Sequence, residues 1–115
     1  MITNVKEAME GMIKTYDREA VKTWEGTVQV DINGEQSGTW WIAVKNGEVE
    51  LREGKIENPD VTIRMSDQDF LSLANGRMKG SDIFLDERME VEGDFEILFK
   101  FEKTFPPIRE EPTNQ

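Results

Sequence analysis

The side chains able to do covalent chemistry in this sequence are few. Its 115 residues contain no cysteine and no histidine, which excludes thiol catalysis, imidazole acid-base work, disulfides and Cys/His zinc sites together. Carboxylates, lysines, a single tyrosine and scattered hydroxyls remain, and none is arranged as a nucleophile with its base. Glu90 and Glu92 stand two apart in a strand-like stretch, so both carboxylates share one face, as two-carboxylate chemistry requires. Glutamate is overwhelmingly a solvated surface residue, and that is the reading adopted for this pair. Asp31-Ile32-Asn33-Gly34 has the opening of a calcium loop, but a third acidic ligand is missing and Ile42 stands where the bidentate glutamate belongs. The expectation is a chain that is not an enzyme, with no cofactor and no metal.

What remains is binding. The formal net charge of -10 opposes nucleic acid and anionic membrane surfaces, because each phosphate contact needs Lys or Arg. Its simplest role is solubility. No apolar run reaches the roughly 18 residues of a membrane span, and no basic stretch precedes an apolar one near the start. With 37% hydrophobic and 33% charged residues, the composition is that of an ordinary folded domain. One domain over residues 1–115 is expected, cytoplasmic, with no nucleic-acid partner and no integral membrane segment.

The elements that would hold a binding site are set by hydrophobic period. Val5, Ala8, Met9, Met12, Ile13 and Tyr16 recur at helical spacing behind Asn4 and Glu7, a capping-box pair. Asp17 then reads as a fresh N-cap for a short second helix. From Trp24 the period becomes two: Val28, Val30 and Ile32 in one strand, Trp40, Ile42 and Val44 in the next, Val49 and Leu51 in a third, with Asn33-Gly34 and Asn46-Gly47 between them. Val61, Ile63 and Met65 make a fourth strand. Ser66 and Asp69 then open a helix through Phe70, Leu71, Leu73 and Ala74, which Asn75-Gly76 ends. Gly80 to Leu85 allows one more helical turn, Met89 and Val91 a fifth strand, and Gly93-Asp94 the start of a last helix reaching Thr104. The tail from 106 to 115 carries Pro106, Pro107 and Pro112 and is expected to be extended.

Every strand has one apolar and one polar face, so the fold class is α+β in two layers: a five-stranded sheet with helices covering one face. The last helix has more apolar surface than that packing needs. Phe95, Ile97, Leu98, Phe99, Phe101 and Phe105 sweep an arc of roughly 200° at about 100° per residue, where a stripe of about 100° suffices. The excess is met either by other protein elements or by an apolar guest. Trp41 lies in the polar phase of its strand; it either packs flat on the sheet or makes a homodimer or partner contact, since Trp is enriched at interfaces.

From Gly38 onward the chain resembles the sterol-carrier-protein-2 family. Gly38-Thr39-Trp40 leading into Ile42-Ala43-Val44-Lys45-Asn46-Gly47, Pro59-Asp60-Val61-Thr62-Ile63 followed by Met65 to Leu73, Gly76-Arg77-Met78-Lys79, Phe84, and Met89 to Asp94 carry the likeness in order and spacing. The resemblance covers about residues 24 to 105. It implies a five-stranded sheet with helices on one face, enclosing an apolar tunnel for a hydrophobic small-molecule ligand: a sterol, fatty acid, acyl-CoA or similar lipid. The residues expected to wall that tunnel are Trp40, Ile42, Phe70, Leu73, Met78, Ile83, Phe84, Phe95, Leu98, Phe99 and Phe101. The chain departs from the family at Glu87, where a glycine is usual, so the turn into the fifth strand is expected to differ. It ends Pro112-Thr113-Asn114-Gln115, which gives no expectation of peroxisomal targeting. The alternative function is a protein-interaction or homodimerising structural domain without a ligand.

Overall fold

The computed structural model describes residues 1–106; the expected extended tail lies outside them from 107 onward. The element order is α1 (Val5–Met12), a 3-10 turn (Ala20–Thr23), β1 (Gly26–Asn33), β2 (Gly38–Lys45), β3 (Glu48–Glu53), β4 (Val61–Ser66), α2 (Asp67–Ala74), α3 (Gly80–Leu85), β5 (Glu90–Gly93) and α4 (Phe95–Thr104). The class is α+β, with a five-stranded sheet ordered β3-β2-β1-β4-β5. β1 and β4 pair in parallel at the centre and the other neighbours are antiparallel. Val28, Val30 and Ile32 of β1 stand opposite Ile42, Trp40 and Gly38 of β2 on one side and Val61, Ile63 and Met65 of β4 on the other. Period two thus stacks one apolar row across the central strands, and the buried core lies on that face.

The helices start where the side chains can satisfy their first amides. Asn4 Oδ1 accepts from the Glu7 amide at 2.9 Å, Ser66 Oγ from Asp69 at 3.1 Å and Asp94 Oδ1 from Glu96 at 2.9 Å. Asp17 also caps, accepting from Glu19 and Ala20 at 2.9 and 3.0 Å. The short second helix expected after Asp17 is a single 3-10 turn, and the strand period opens at Gly26, not Trp24. Asn46 and Gly47 both take positive φ, 54° and 76°, the pair of values that a two-residue hairpin needs.

β5 docks through a glycine that nothing else could replace. Gly93 has φ 119° and faces Val61 in the register; a Cβ there would meet the Asp60 carbonyl and come within 2.9 Å of Val61 Cα.

The sheet's other face is not fully open. β3 and β4 lie on opposite sides of β1, so residues 54–60 must cross a face of the sheet. The Ile56 amide donates to Gln29 Oε1 at 3.1 Å, which lays the crossing over the outward row and helps to bury Gln29. Trp41, opposite Gln29 and Arg52 in the ladder, is half-buried there. Further along, Arg64 reaches Asp31 at 3.3 Å, Glu92 at 3.1 Å and Glu90 at 4.0 Å. Glu90 and Glu92 therefore flank one guanidinium, and Asp31 of the calcium-like tetrapeptide shares it. Among the described residues no cluster of three potential ligands could hold a metal ion.

Candidate functional site

The helical side of the sheet encloses a cavity of about 310 Å³. Its floor is the apolar row at Val30, Ile63 and Met65, its walls are Ala8 and Met12 of α1, Phe70, Leu73 and Ala74 of α2, and Leu98 and Phe101 of α4, with Phe105 and Pro106 at one end. Gly76, Met78, Lys79, Gly80 and Met89 complete the lining. That volume lies at the lower end of the roughly 300–1,000 Å³ usual for small-molecule sites. Lys79 and Glu102 are the ionisable side chains among the lining residues.

Each wall is fixed by bonds at its ends. Gln36, in the β1–β2 turn, accepts from the Val5 amide at 2.7 Å and donates to the Thr3 carbonyl at 2.8 Å, while its own amide donates to buried Asp67 at 3.0 Å. Asn75, at the end of α2, accepts from the Ile2 amide at 3.0 Å and donates to the Ile2 carbonyl at 2.8 Å. Together they tie the start of α1 to α2 and the sheet, so Ala8 and Met12 face the cavity. Arg88 grips Asp69 twice, at 2.9 and 3.2 Å, joining the first turn of α2 to the loop before β5. Its charge-assisted bond to Asp69 raises the already high pKa of the guanidinium. At the far end the Phe101 and Phe105 rings lie 4.9 Å apart and Tyr16 stands 6.0 Å from Phe105.

The residues expected to line a tunnel separate into three places. Phe70, Leu73, Met78, Leu98 and Phe101 come together on the cavity. Trp40, Ile42 and Ile83 are buried in the core outside its lining. Phe84, Phe95 and Phe99 stand partly in solvent on the outside of α3 and α4, stacked edge to face with centroids 6.2 and 6.5 Å apart. The broad arc of α4 thus divides, with Leu98 and Phe101 inward and Phe95 and Phe99 outward. Reasoning from the sequence missed Ala8 and Met12, whose helical period was visible but whose neighbour was not. It also missed Glu102, which lies on the rim.

Glu102 enters from α4 and its Oε2 rests 2.7 Å from where a Gly80 Cβ would be. Desolvation pushes its carboxyl pKa above the usual range, since burial penalises the charged form. Lys79, which precedes α3, is exposed. With no nucleophile-base pair on this lining, the arrangement can hold an apolar guest and orient one polar end.

Comparison with known proteins agrees with this architecture. The sequence model of the SCP-2 sterol transfer family matches residues 5–106. Hydroxysteroid dehydrogenase-like protein 2 of Xenopus tropicalis is 31% identical over 100 residues, covering 86% of this chain and 24% of that protein. The chain therefore spans about a quarter of the length of that relative. Among solved structures, sterol carrier protein 2-like 2 of Aedes aegypti superposes with TM-score 0.67 at 21% identity, covering 84% of this chain and 88% of its own. Sterol carrier protein 2 of Aedes aegypti, solved in complex with the C16 fatty acid palmitate, has TM-score 0.67 at 18% identity, over 90% of this chain and 93% of its own. No helix among the described residues is long and apolar enough to cross a membrane. With the match running from α1 to the end of α4 over this sheet order, the chain belongs to the SCP-2 sterol transfer family.

Proposed function

We propose that the chain binds one hydrophobic small molecule, such as a fatty acid, acyl-CoA, sterol or similar lipid, in the cavity beneath α1, α2 and α4, and carries it without chemical change. The observation that carries this reading is the roughly 310 Å³ cavity itself, lined by apolar side chains apart from Lys79 and Glu102. Family membership and the palmitate complex of the Aedes aegypti relative support it. Phe70, Leu73, Met78, Leu98 and Phe101 serve as contact residues. Burial supplies the affinity, at about 0.8 kcal/mol per methylene before ordering costs, and needs no catalytic group. Native mass spectrometry of the purified protein, followed by solvent extraction and lipid analysis, tests the reading. A co-purifying lipid or saturable uptake of a fluorescent fatty acid supports it, and a folded protein that excludes such probes overturns it.

A second reading is an interaction or homodimerising domain, favoured by the exposed Phe84, Phe95 and Phe99. In the same experiment a lipid-free dimer supports that reading, and a monomer with bound lipid removes it.

A further inference from the structure

The rim of the cavity holds an uncompensated acid. Glu102 Oε2 lies 2.7 Å from the ideal Cβ position of Gly80, so its carboxylate rests on bare backbone that any side chain at 80 would occupy. Among the described residues it accepts no hydrogen bond and makes no ion pair, with Lys79 included. Its pKa is raised by desolvation, while the side chain keeps contact with solvent, so water and whatever occupies the rim share this carboxylate. A guest lying in the apolar space with its polar end at this rim would bring its head group to this oxygen. An ionised acid head would meet like charge there, whereas a hydroxyl or amide N–H would donate to the carboxylate. Lys79, at the same rim, has an exposed side chain whose ammonium stays hydrated while its stem borders the cavity.

We propose that Glu102 is a specificity-determining residue that selects guests with an uncharged, hydrogen-bond-donating head, an alcohol or primary amide, over a free carboxylate of equal chain length. This rests on the carrier reading and narrows it.

The test compares decan-1-ol, decanamide and decanoate as competitors of a fluorescent apolar probe, slightly above neutral pH. It uses the wild-type chain, Glu102→Gln and Lys79→Met, each first shown to be folded by circular dichroism. An alcohol is more apolar than an acid in any cavity, so the readout is the change in the alcohol-to-carboxylate affinity ratio between variants. Glu102→Gln is expected to lower that ratio about tenfold, chiefly by tightening decanoate, because relief of one like-charge contact at a partly solvated rim is worth about one decade. Lys79→Met is expected to leave the ratio within about twofold. An unchanged ratio in Glu102→Gln, with all three ligands bound, overturns this inference and leaves the carrier reading standing. Loss of decanoate binding in Lys79→Met, as large as the gain expected in Glu102→Gln, assigns selection to the lysine and also overturns it. If no ligand displaces the probe from any folded variant, the carrier reading falls and this inference with it.

Discussion

The indole N–H of Trp24 donates to Thr104 Oγ1 at 2.8 Å across 80 residues of sequence, and that hydroxyl donates onward to the Lys100 carbonyl at 2.8 Å. Thr104 is the last residue of α4 and fully buried, and Trp24 stands just before β1. The Asp17 amide also donates to the Thr104 carbonyl at 2.8 Å. These contacts fix the end of the helix that carries Phe101 and Phe105 to the cavity, and among the described residues no buried side-chain polar atom is left unpaired.

Replacing Thr104 with Val keeps the side-chain shape but strands the buried indole N–H. The expected loss of stability is about 1–3 kcal/mol, the penalty for an unsatisfied buried donor. Thr104→Ser keeps the hydroxyl and should lose less. Urea denaturation of the three proteins decides, and equal midpoints for Thr104→Val and the wild type would show that this bond contributes nothing.

Two phenylalanines of one helix should behave oppositely. Phe101 is 8% exposed and Phe99 57% exposed, although both fall within the apolar arc of α4. Phe101→Ala is expected to cost about 3–5 kcal/mol and to weaken probe binding through the cavity wall, while Phe99→Ala stays within about 0.5 kcal/mol with binding unchanged. Similar denaturation midpoints for the two variants would contradict this division of the helix.

The contrast between these two rings marks where local pattern stops being informative. The start of α2 was legible because Ser66 and Asp69 are three residues apart and the bond between them is local. The sheet was legible for the same reason, since alternation within each strand decides its buried face. The inward side of α4 was not, because an arc of six apolar positions fits several orientations, and its setting depends on distant partners such as Trp24 and on where α3 lies. α1 became a cavity wall through Gln36 and Asn75, whose polar side chains gave no local sign of bridging chain ends. Glu102 fell in the polar phase of its helix. Its one trace in the sequence was Gly80, and a glycine at the start of a short helix does not by itself mark a close approach.

Glu87 holds the turn into β5 with φ 62°, and its amide donates to the Phe84 carbonyl at 3.0 Å. The turn thus keeps a left-handed residue without glycine, at a cost of about 1–2 kcal/mol for an L side chain. Glu87→Gly removes that cost but adds about 0.5–1 kcal/mol of unfolded-state freedom. The expected net gain is up to about 1.5 kcal/mol, a rise of several degrees in thermal midpoint for a domain of this size. Glu87→Val, β-branched at the same φ, should lower the midpoint. A lower midpoint for the glycine variant would show that the Glu87 side chain contributes more than its backbone conformation costs.

Stability should also depend on pH through Glu102. Desolvation raises its carboxyl pKa in the folded chain, so between the ordinary carboxylate pKa and the folded one the native state binds the extra proton. There the unfolded state holds fewer protons, and this group's contribution falls as pH rises. Below the ordinary value both states are protonated and the cost of ionisation disappears. Above the folded value it is fully present. Glu102→Gln should therefore be more stable than the wild type near neutral pH, with an advantage that shrinks toward zero as pH falls through the carboxylate range. The effect should be modest, because the side chain keeps contact with solvent. Urea midpoints of both proteins across this range give the difference directly. A difference independent of pH would mean that packing of the amide, and not relief of a desolvated charge, separates the two proteins.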